Sequence, residues 1–457
     1  MNQIVLAAPE PKNHIKTLMR IGYDFNSAIA DILDNSISAE STKVHISVIS
    51  HDEDVMLFIQ DNGFGMTSEE LIENMKVSCK DPDESRNQFD LGRFGSGMKT
   101  ASFSHARKLT VITKKANSKV SGACWDVDEI EKTNSWCLEI LKPKGIENML
   151  SKLQITSFNK GTIVIWENIP VFYSDDHIEV HDLINSKLYA LKKYLALHFH
   201  KFMSGKEKIQ FYVQNALINP NDPFLSNHSG SIMLGKDNPY VDGKKINIKL
   251  HILPHHDYLS QEELDSLGGV DEMYRCQGLY IYRSGRLIIA GGWMGLSRNF
   301  QLAKLARIEI DIPASLDHSW STDVKKTTLQ LPDKLKTKLR NLIKQHQKKS
   351  TREYEYRGSI EEANDFWEVR ENDRNKQIQY IVDNKNNELR DIFLEIEDKK
   401  LQKKLKKFLN NLGKSIPLNN IYEKMSSDPK NINQKMSSFD LDLDAILKER
   451  IESLKNE

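Results

Sequence analysis

Asp31 and Asn35 are the first residues of the sequence whose types and spacing favour chemistry. They lie four positions apart in the stretch 28–39, where apolar residues recur at helical period, so their side chains should share one face of a helix. A carboxylate one turn from a carboxamide suits a divalent ion and an activated water, because Mg2+ takes oxygen ligands and keeps several waters. An ordinary solvated helix face is the alternative for this stretch taken alone.

The sequence Asp-Asn-Gly-Phe-Gly-Met at positions 61–66 is the second group. It follows a compact apolar run that predicts a strand over residues 55–59. Asp61 would end that strand, where a carboxylate can accept a hydrogen bond from an exocyclic amine. Gly63 and Gly65 would let the backbone approach a ligand closely or adopt positive φ. A simple hairpin turn is the alternative.

A glycine-rich loop at residues 91–102, Leu-Gly-Arg-Phe-Gly-Ser-Gly-Met-Lys-Thr-Ala-Ser, is the third group. Such a loop before a helical segment presents backbone N–H groups to anionic oxygens, which favours phosphate. Lys99 would add a mobile positive charge. The spacing is neither that of a Walker A loop nor that of a dinucleotide fingerprint. The polar stretch Lys80–Gln88 predicts a flexible lid attached to this loop.

Alternating and compact apolar runs predict the elements that position these groups. A short helix over residues 13–22 precedes the helix that carries Asp31. Strands are expected at residues 44–48, 55–59, 108–113, 123–127, 136–141 and 161–166. The last of them begins with Gly161-Thr162.

The composition bounds the class of protein. The chain has 457 residues, enough for two or three domains, and equal numbers of basic and acidic residues, 64 of each. No global charge therefore indicates nucleic acid, and any such surface must be local. The four cysteines have no CxxC spacing, which favours a reducing cytosol over disulfides or zinc. Without a leader or an apolar run of membrane length, we expect a cytoplasmic protein with no membrane partner.

Four short motifs follow one another along the chain: D-xxx-N on a helix, D-x-G-x-G after a strand, G-x-G-x-K at a lid and G-T before a strand. This ordered set resembles the GHKL ATPase superfamily. The stretches DILDNSISA, DNGFGM and GRFGSGMKTAS are most similar to the microrchidia (MORC) type and its bacterial relatives. The resemblance implies an α+β fold: a GHKL (Bergerat) α/β sandwich over 1–172, a β-α (S5-like) transducer over 173–345, and a helical or coiled-coil region over 346–457.

The resemblance also implies ATP and Mg2+ as cofactors. Asn35 would bind the Mg2+ that bridges the phosphates, and Asp61 would accept from the adenine amine with support from Thr162. Gly63 and Gly65 would make room for the base. The residues implied at the nucleotide are Asn35, Asp61, Gly63, Gly65, Met66, Gly95, Ser96, Gly97, Met98, Lys99, Thr100 and Thr162.

The water-activating residue of the superfamily is usually a Glu four positions before the Asn. Asp31 occupies that position here, and because Asp is one methylene shorter, the departure bears on the rate of hydrolysis rather than on binding. Asp34 is the second candidate for the base. A transducer lysine that reaches the γ-phosphate would be Lys326 or Lys325, with Lys326 favoured; two solvated loop lysines are the alternative.

The later segments carry weaker patterns. A helix is predicted over residues 183–202 and strands over 209–213, 246–252, 278–289 and 306–312, the third as a hairpin with Ser-Gly at its tip. Arg283 and Arg286 are interpreted as hairpin charges rather than basic contacts. Residues 346–410 predict long helices or a coiled coil, with the apolar set Ile378, Ile381, Val382, Leu389, Phe393 and Ile396. The lysines over 399–407 form either a solvated face or a nucleic-acid contact.

These features favour an ATPase that dimerises on ATP binding and acts as a conformational clamp. Its partners would be a second copy and, by resemblance, DNA or proteins of a restriction or antiviral defence system. The alternative is an ATP-gated binding scaffold with little turnover. A histidine kinase is disfavoured, because only His14 precedes the motifs as a phospho-acceptor.

Overall fold

A computed structural model of the protein describes residues 9–51, 54–77, 97–173, 179–205, 208–297, 304–316, 331–332, 335–344, 367–372, 377–383, 386–417 and 421. These residues divide into two compact units. One covers nearly all of the described chain up to Leu342, and the other begins at Ile343. No helix in the described ranges is long and apolar enough to cross a bilayer.

The first part of the larger unit alternates helices with the strands of one sheet. Its helices are α1 (Pro11–Met19), α2 (Phe25–Ser38), α3 (Ser68–Met75), α4 (Gly97–Phe103), α5 (Val127–Thr133), α6 (Pro143–Lys152), α7 (Val180–His198) and α8 (His200–Met203). Its strands are β1 (Lys43–His51), β2 (Asp54–Asp61), β3 (Lys108–Lys114), β4 (Ser121–Asp126), β5 (Glu139–Ile140), β6 (Gly161–Glu167), β7 (Gln210–Val213) and β8 (Ala216–Leu217).

The eight strands are ordered β5-β4-β3-β6-β2-β1-β7-β8. All described pairings are antiparallel except that of β1 with β7, which is parallel. The strand predicted over 136–141 is reduced to two paired residues, since only Glu139 and Ile140 lie against β4. The sheet confirms the α+β class and brings the ends of β2 and β6, which carry Asp61 and Thr162, side by side.

One apolar core lies between this sheet and its helices. Ile29 and Leu33 of α2 are fully buried in it, as are Leu191 and Leu195 of α7. Since β7 and α7 follow residue 172, the sheet and its core extend beyond the predicted domain boundary. The physical reason is non-local: β7 gains its hydrogen bonds from β1, more than 160 residues earlier in the chain.

The second part of the larger unit is built on a five-stranded sheet. Its elements are β9 (Ile232–Asp237), β10 (Tyr240–Val241), β11 (Lys244–Lys245), β12 (Asn247–Ile252), α9 (Gln261–Ser266), α10 (Val270–Arg275), β13 (Gly278–Arg283), β14 (Arg286–Ala290), β15 (Ala306–Ile312) and α11 (335–344). The strand order is β14-β13-β15-β12-β9, so β14 is an edge strand. The predicted hairpin is present, with Ser284 and Gly285 at positive φ in its tip.

The smaller unit contains a β-hairpin, β16 (Trp367–Asn372) and β17 (Gln377–Val382), followed by α12 (Asn387–Glu395) and α13 (Lys399–Lys414). The expectation of helices throughout 346–410 is therefore wrong for the hairpin. Apolar residues at 378, 381 and 382 fit a helical stripe, but short apolar runs also occur in strands, and spacing alone does not separate the two. The lysine cluster lies on α13, as a helical face.

Candidate functional site

Asp61 ends β2 beneath the C-terminal half of α2, and its carboxylate is almost completely buried. One oxygen, Oδ1, accepts from the backbone N–H groups of Gly63 at 2.9 Å and Thr162 at 3.2 Å. The other, Oδ2, accepts from the hydroxyl of Ser36 at 3.1 Å. Burial raises the pKa of Asp61, while these donors oppose that shift. The result is a buried acceptor fixed by neutral groups, as recognition of an amine requires.

The glycines after Asp61 are required by the protein's own backbone. A Cβ on Gly63 would lie 2.7 Å from the carbonyl oxygen of Ala39, and one on Gly65 would lie 2.0 Å from the carbonyl oxygen of Lys114. Gly65 also has φ of +67°, a left-handed conformation that glycine adopts without strain. The turn leads into α3 through a capping box of Thr67 and Glu70, so the alternative of a simple hairpin is wrong.

Thr113 of β3 connects the two glycine segments. Its hydroxyl donates to the carbonyl of Gly161 at 3.0 Å, lies 3.1 Å from the hydroxyl of Thr162, and accepts from the backbone N–H of Met66 at 2.9 Å. Gly161 has φ of +115°, and a Cβ there would meet the carbonyl of Asp61 at 2.0 Å. Asp61 and Met66 of one motif and Thr162 of another are thus brought together through a residue that the motifs do not include.

Asn35 and Asp31 differ in environment although they share a helix. Asn35 is exposed, its amide nitrogen donates to the backbone carbonyl of Asp31 at 3.3 Å, and no described residue donates to its side-chain oxygen. An exposed amide oxygen fits one protein ligand of a Mg2+ whose other ligands are waters and phosphates. Asp31, expected on a polar face beside Asn35, is instead buried: α7 packs against α2, and the side chains of Arg286 and Tyr23 bind its carboxylate.

Asp31 and Asp34 form a buried ionic cluster with Arg286 of β14. The Nη1 of Arg286 lies 2.9 Å from Oδ1 of Asp31 and also hydrogen-bonds the carboxylate of Asp34. Oδ2 of Asp31 accepts from the hydroxyl of Tyr23 at 3.1 Å. Burial alone would lower the pKa of Arg286, but the carboxylates of Asp34 and Asp31 outweigh it and the pKa is raised. The interpretation of Arg286 as a solvated hairpin charge is therefore wrong.

The described part of the glycine-rich loop begins at Gly97, the first residue of α4, where a Cβ would meet no atom within 4 Å. Met98 is half-buried against the core and Thr100 is buried. Lys99 was expected to be a mobile charge; its ammonium instead is buried and donates to the carbonyl of Asn74 at 2.6 Å. A cation there complements the C-terminal end of α3, which explains its position.

Several predicted residues lie outside the described ranges: Gly95, Ser96, Lys325, Lys326 and the lid over 80–88. Among described residues, the motifs missed Ser36, Thr113 and Arg286. A serine on the apolar face of α2 and a threonine in an otherwise apolar strand are weak indications of buried hydrogen bonds. Arg286 had no comparable local indication, since its partners are 255 and 252 residues away.

Comparison with known proteins identifies the class of this domain. Residues 23–162 match the family described as Histidine kinase-, DNA gyrase B-, and HSP90-like ATPase. The chain therefore carries an ATPase domain of the GHKL superfamily, and it resembles the MORC type.

Individual relatives match about a fifth of the chain. The ATPase morc-1 of Caenorhabditis elegans is 30% identical over 89 residues, which are 20% of this chain and 10% of that protein. The chaperone protein HtpG of Halalkalibacterium halodurans is 37% identical over 101 residues, 20% of this chain and 16% of the chaperone. The ATPase MORC2B of Mus musculus is 29% identical over 94 residues, 20% of this chain and 9% of that protein. The matches thus span a small part of each relative.

Proposed function

We propose that the protein binds and hydrolyses ATP with Mg2+, and that nucleotide-driven dimerisation makes it a conformational clamp. The observation that carries this is the buried carboxylate of Asp61, held by Ser36, Gly63 and Thr162 beneath α2. A carboxylate fixed without a counter-ion among the described residues is suited to accept from an exocyclic amine. Because residues 23–162 match GHKL ATPases, we propose that this amine is that of adenine.

The phosphates would extend from Asp61 toward the N-terminus of α4. Asn35 would supply its exposed amide oxygen to Mg2+, which when bound neutralises phosphate charge. Gly95, Gly97, Met98 and Lys99 would surround the phosphates, as the resemblance to GHKL domains implies, with backbone N–H groups as the donors. Lys326, or Lys325 in its place, would stabilise the γ-phosphate from the second sheet's segment.

Asp31 is the proposed general base, which would orient the attacking water and accept its proton. Multiple-turnover phosphate release tests this role. Asp31→Ala should stop release while ATP stays bound, because the base acts on the water. Should Asp34→Ala behave in this way and Asp31→Ala not, the other carboxylate of α2 is the base.

Dimer closure is the second step of the proposal. Light scattering with and without a non-hydrolysable ATP analogue should show a larger particle with the analogue, and Lys326→Ala should weaken that change. A monomer under both conditions would contradict the clamp. We further propose DNA, or proteins of a defence or restriction-type complex, as what the clamp acts on, and the lysine face of α13 is the described surface that supports nucleic acid.

One observation favours a second function, an ATP-gated scaffold with little turnover. Both carboxylate oxygens of Asp31 have partners, Arg286 and Tyr23. With its base held in this way, the protein would hydrolyse ATP slowly or not at all, although nucleotide binding and dimerisation would be unaffected. Phosphate release below one ATP per protomer in the presence of a closed dimer would select this function.

A further inference from the structure

Arg286 joins the two sheets of the larger unit at the proposed base. It is the first residue of β14, the edge strand of the five-stranded sheet, yet its guanidinium is buried against α2. Its carbon Cζ lies 5.4 Å from the centre of the Phe199 ring, just after α7. The hairpin that carries it is tied to β15, because the backbone N–H of Gly285 donates to Asp311 at 3.3 Å. Movement of the second sheet relative to α2 would therefore move Arg286.

The hydrogen bonds of Asp31 fix its orientation on both sides. Arg286 binds Oδ1 at 2.9 Å and the hydroxyl of Tyr23 binds Oδ2 at 3.1 Å. A general base must direct an oxygen at the water within hydrogen-bond reach. Asp31 therefore has to give up at least one of these partners before it can turn toward a water at the γ-phosphate.

Asp34 is the second carboxylate that binds Arg286, so a change in the position of Arg286 affects both carboxylates of the cluster. Two carboxylates and one guanidinium leave the cluster with a net negative charge, and all three groups are buried. Arg286 is shared between Asp31 and Asp34. When it stays with both, each carboxylate is held; when it follows the second sheet away from α2, Asp31 is released.

We propose that Arg286 is a positioning residue that holds Asp31 away from the attacking water, so that the β13–β14 hairpin controls ATP hydrolysis. This rests on the proposed function, in which Asp31 is the base. ATP-driven movement of the second sheet would withdraw Arg286 and free Asp31, which makes hydrolysis follow closure. Arg286 acts through Asp31 and has no contact with the nucleotide in this scheme.

A charge-matched pair of variants tests the proposal. Arg286→Gln alone would leave two buried carboxylates without their cation, which is strongly destabilising. The double variant Asp34→Asn with Arg286→Gln keeps the net charge of the cluster at its wild-type value and removes the guanidinium that binds Oδ1 of Asp31. Asp34→Asn alone is the matched control, because it leaves Arg286 to Asp31 alone and tightens that ion pair.

The measurement is the single-turnover rate of hydrolysis of bound ATP, with ATP affinity measured separately. We expect the double variant to hydrolyse about tenfold faster than wild type or more, because minor conformers are typically populated at roughly 0.1–10%. Asp34→Asn alone should be slower than wild type. The ATP affinity of all three should agree within about twofold. A merely structural role of the cluster predicts instead that both variants lose rate and affinity together.

Tyr23→Phe is an independent variant that removes one hydroxyl and no charge. It should also hydrolyse faster than wild type, so it tests the proposal even if the double variant does not fold. A double variant that folds and is no faster than Asp34→Asn overturns the proposal, as does a Tyr23→Phe rate at or below wild type. Asp31→Asn distinguishes failure of the proposal on Arg286 from failure of the proposed function. If Asp31→Asn hydrolyses ATP normally, Asp31 is not the base and the proposed function is wrong.

Discussion

The two ends of the proposed nucleotide site are built in opposite ways. At the proposed adenine end, Asp61 takes its hydrogen bonds from neutral donors on α2, β6 and the turn that follows it. At the proposed phosphate end, Asp31 takes a charged partner, Arg286, from a different sheet. In the proposed function, recognition of the base would thus depend on one sheet and its helices, whereas chemistry at the γ-phosphate would depend on the position of a second sheet.

Gly65→Ala should have the largest effect on stability, because Gly65 lies in the turn after Asp61, the end of the site whose contacts all come from one sheet and its helices. Left-handed strain and overlap with the Lys114 carbonyl should lower the free energy of unfolding by about 2 kcal/mol or more. ATP binding should be lost with it. Thermal unfolding and nucleotide titration measure the two effects.

Gly97→Ala is the matched control for Gly65→Ala. Its Cβ would meet no atom of the protein within 4 Å, so stability should be unchanged or slightly raised. Equal losses of stability in the two variants would contradict the close packing inferred at Gly65.

Asn35→Ala tests the phosphate end. A lost Mg2+ ligand should reduce turnover by about a hundredfold, since bound metals contribute several kcal/mol to such transition states. The melting temperature should stay at the wild-type value, because Asn35 is exposed. Asn35→Asp keeps an oxygen ligand and should retain most of the Mg2+-dependent activity. A variant Asn35→Ala that unfolds would indicate a structural role instead.

Asp61→Asn tests Asp61 as the proposed acceptor for the adenine amine. The amide oxygen can still accept from the N–H groups of Gly63 and Thr162, so the amide nitrogen would take the place of Oδ2 and face the adenine amine, a donor against a donor. An unsatisfied buried polar pair costs roughly 1–3 kcal/mol. ATP affinity should fall about tenfold or more. Asp54→Asn, at the exposed start of β2, serves as the control and should bind normally. Normal ATP binding by Asp61→Asn means that the adenine assignment is wrong.

The same contrast explains what the sequence could and could not predict. The GHKL resemblance and the α+β class are confirmed, and the structure brings Asp61, Met66 and Thr162 together, because their motifs are local: a strand end, a glycine turn and a strand start. Their roles toward a nucleotide stay predictions. Ser36 and Thr113 complete that arrangement with hydroxyls whose importance depends on burial, which a single sequence does not give.

Non-local contacts account for most of the rest. β7 joins the first sheet through a parallel pairing with β1, and Arg286 reaches Asp31 across 255 residues. No spacing rule links such positions. Lys99 has the residue type of a phosphate ligand, but its place is decided by the carbonyl of Asn74 at the end of α3. Periodicity likewise failed for β17, whose apolar residues fit a helix as well as a strand.

His198 should affect only the pH dependence of stability, and it reports on α7, the helix that packs against α2 and β14. Burial lowers the pKa of His198 to about 4, and its Nδ1 lies 2.9 Å from the carbonyl of Tyr194. The unfolded chain binds a proton near pH 6.5, whereas the folded protein does not until about pH 4, so stability should fall as the pH drops between these values.

His198→Gln should remove roughly 1–3 kcal/mol of this loss between pH 7 and pH 4, because the amide does not titrate. Urea denaturation at several pH values measures the slope for both proteins. His200, whose pKa burial also lowers to about 4, and His105, whose pKa burial also lowers, should contribute to the remaining slope. Identical slopes would mean that α7 does not enclose His198 in its neutral form.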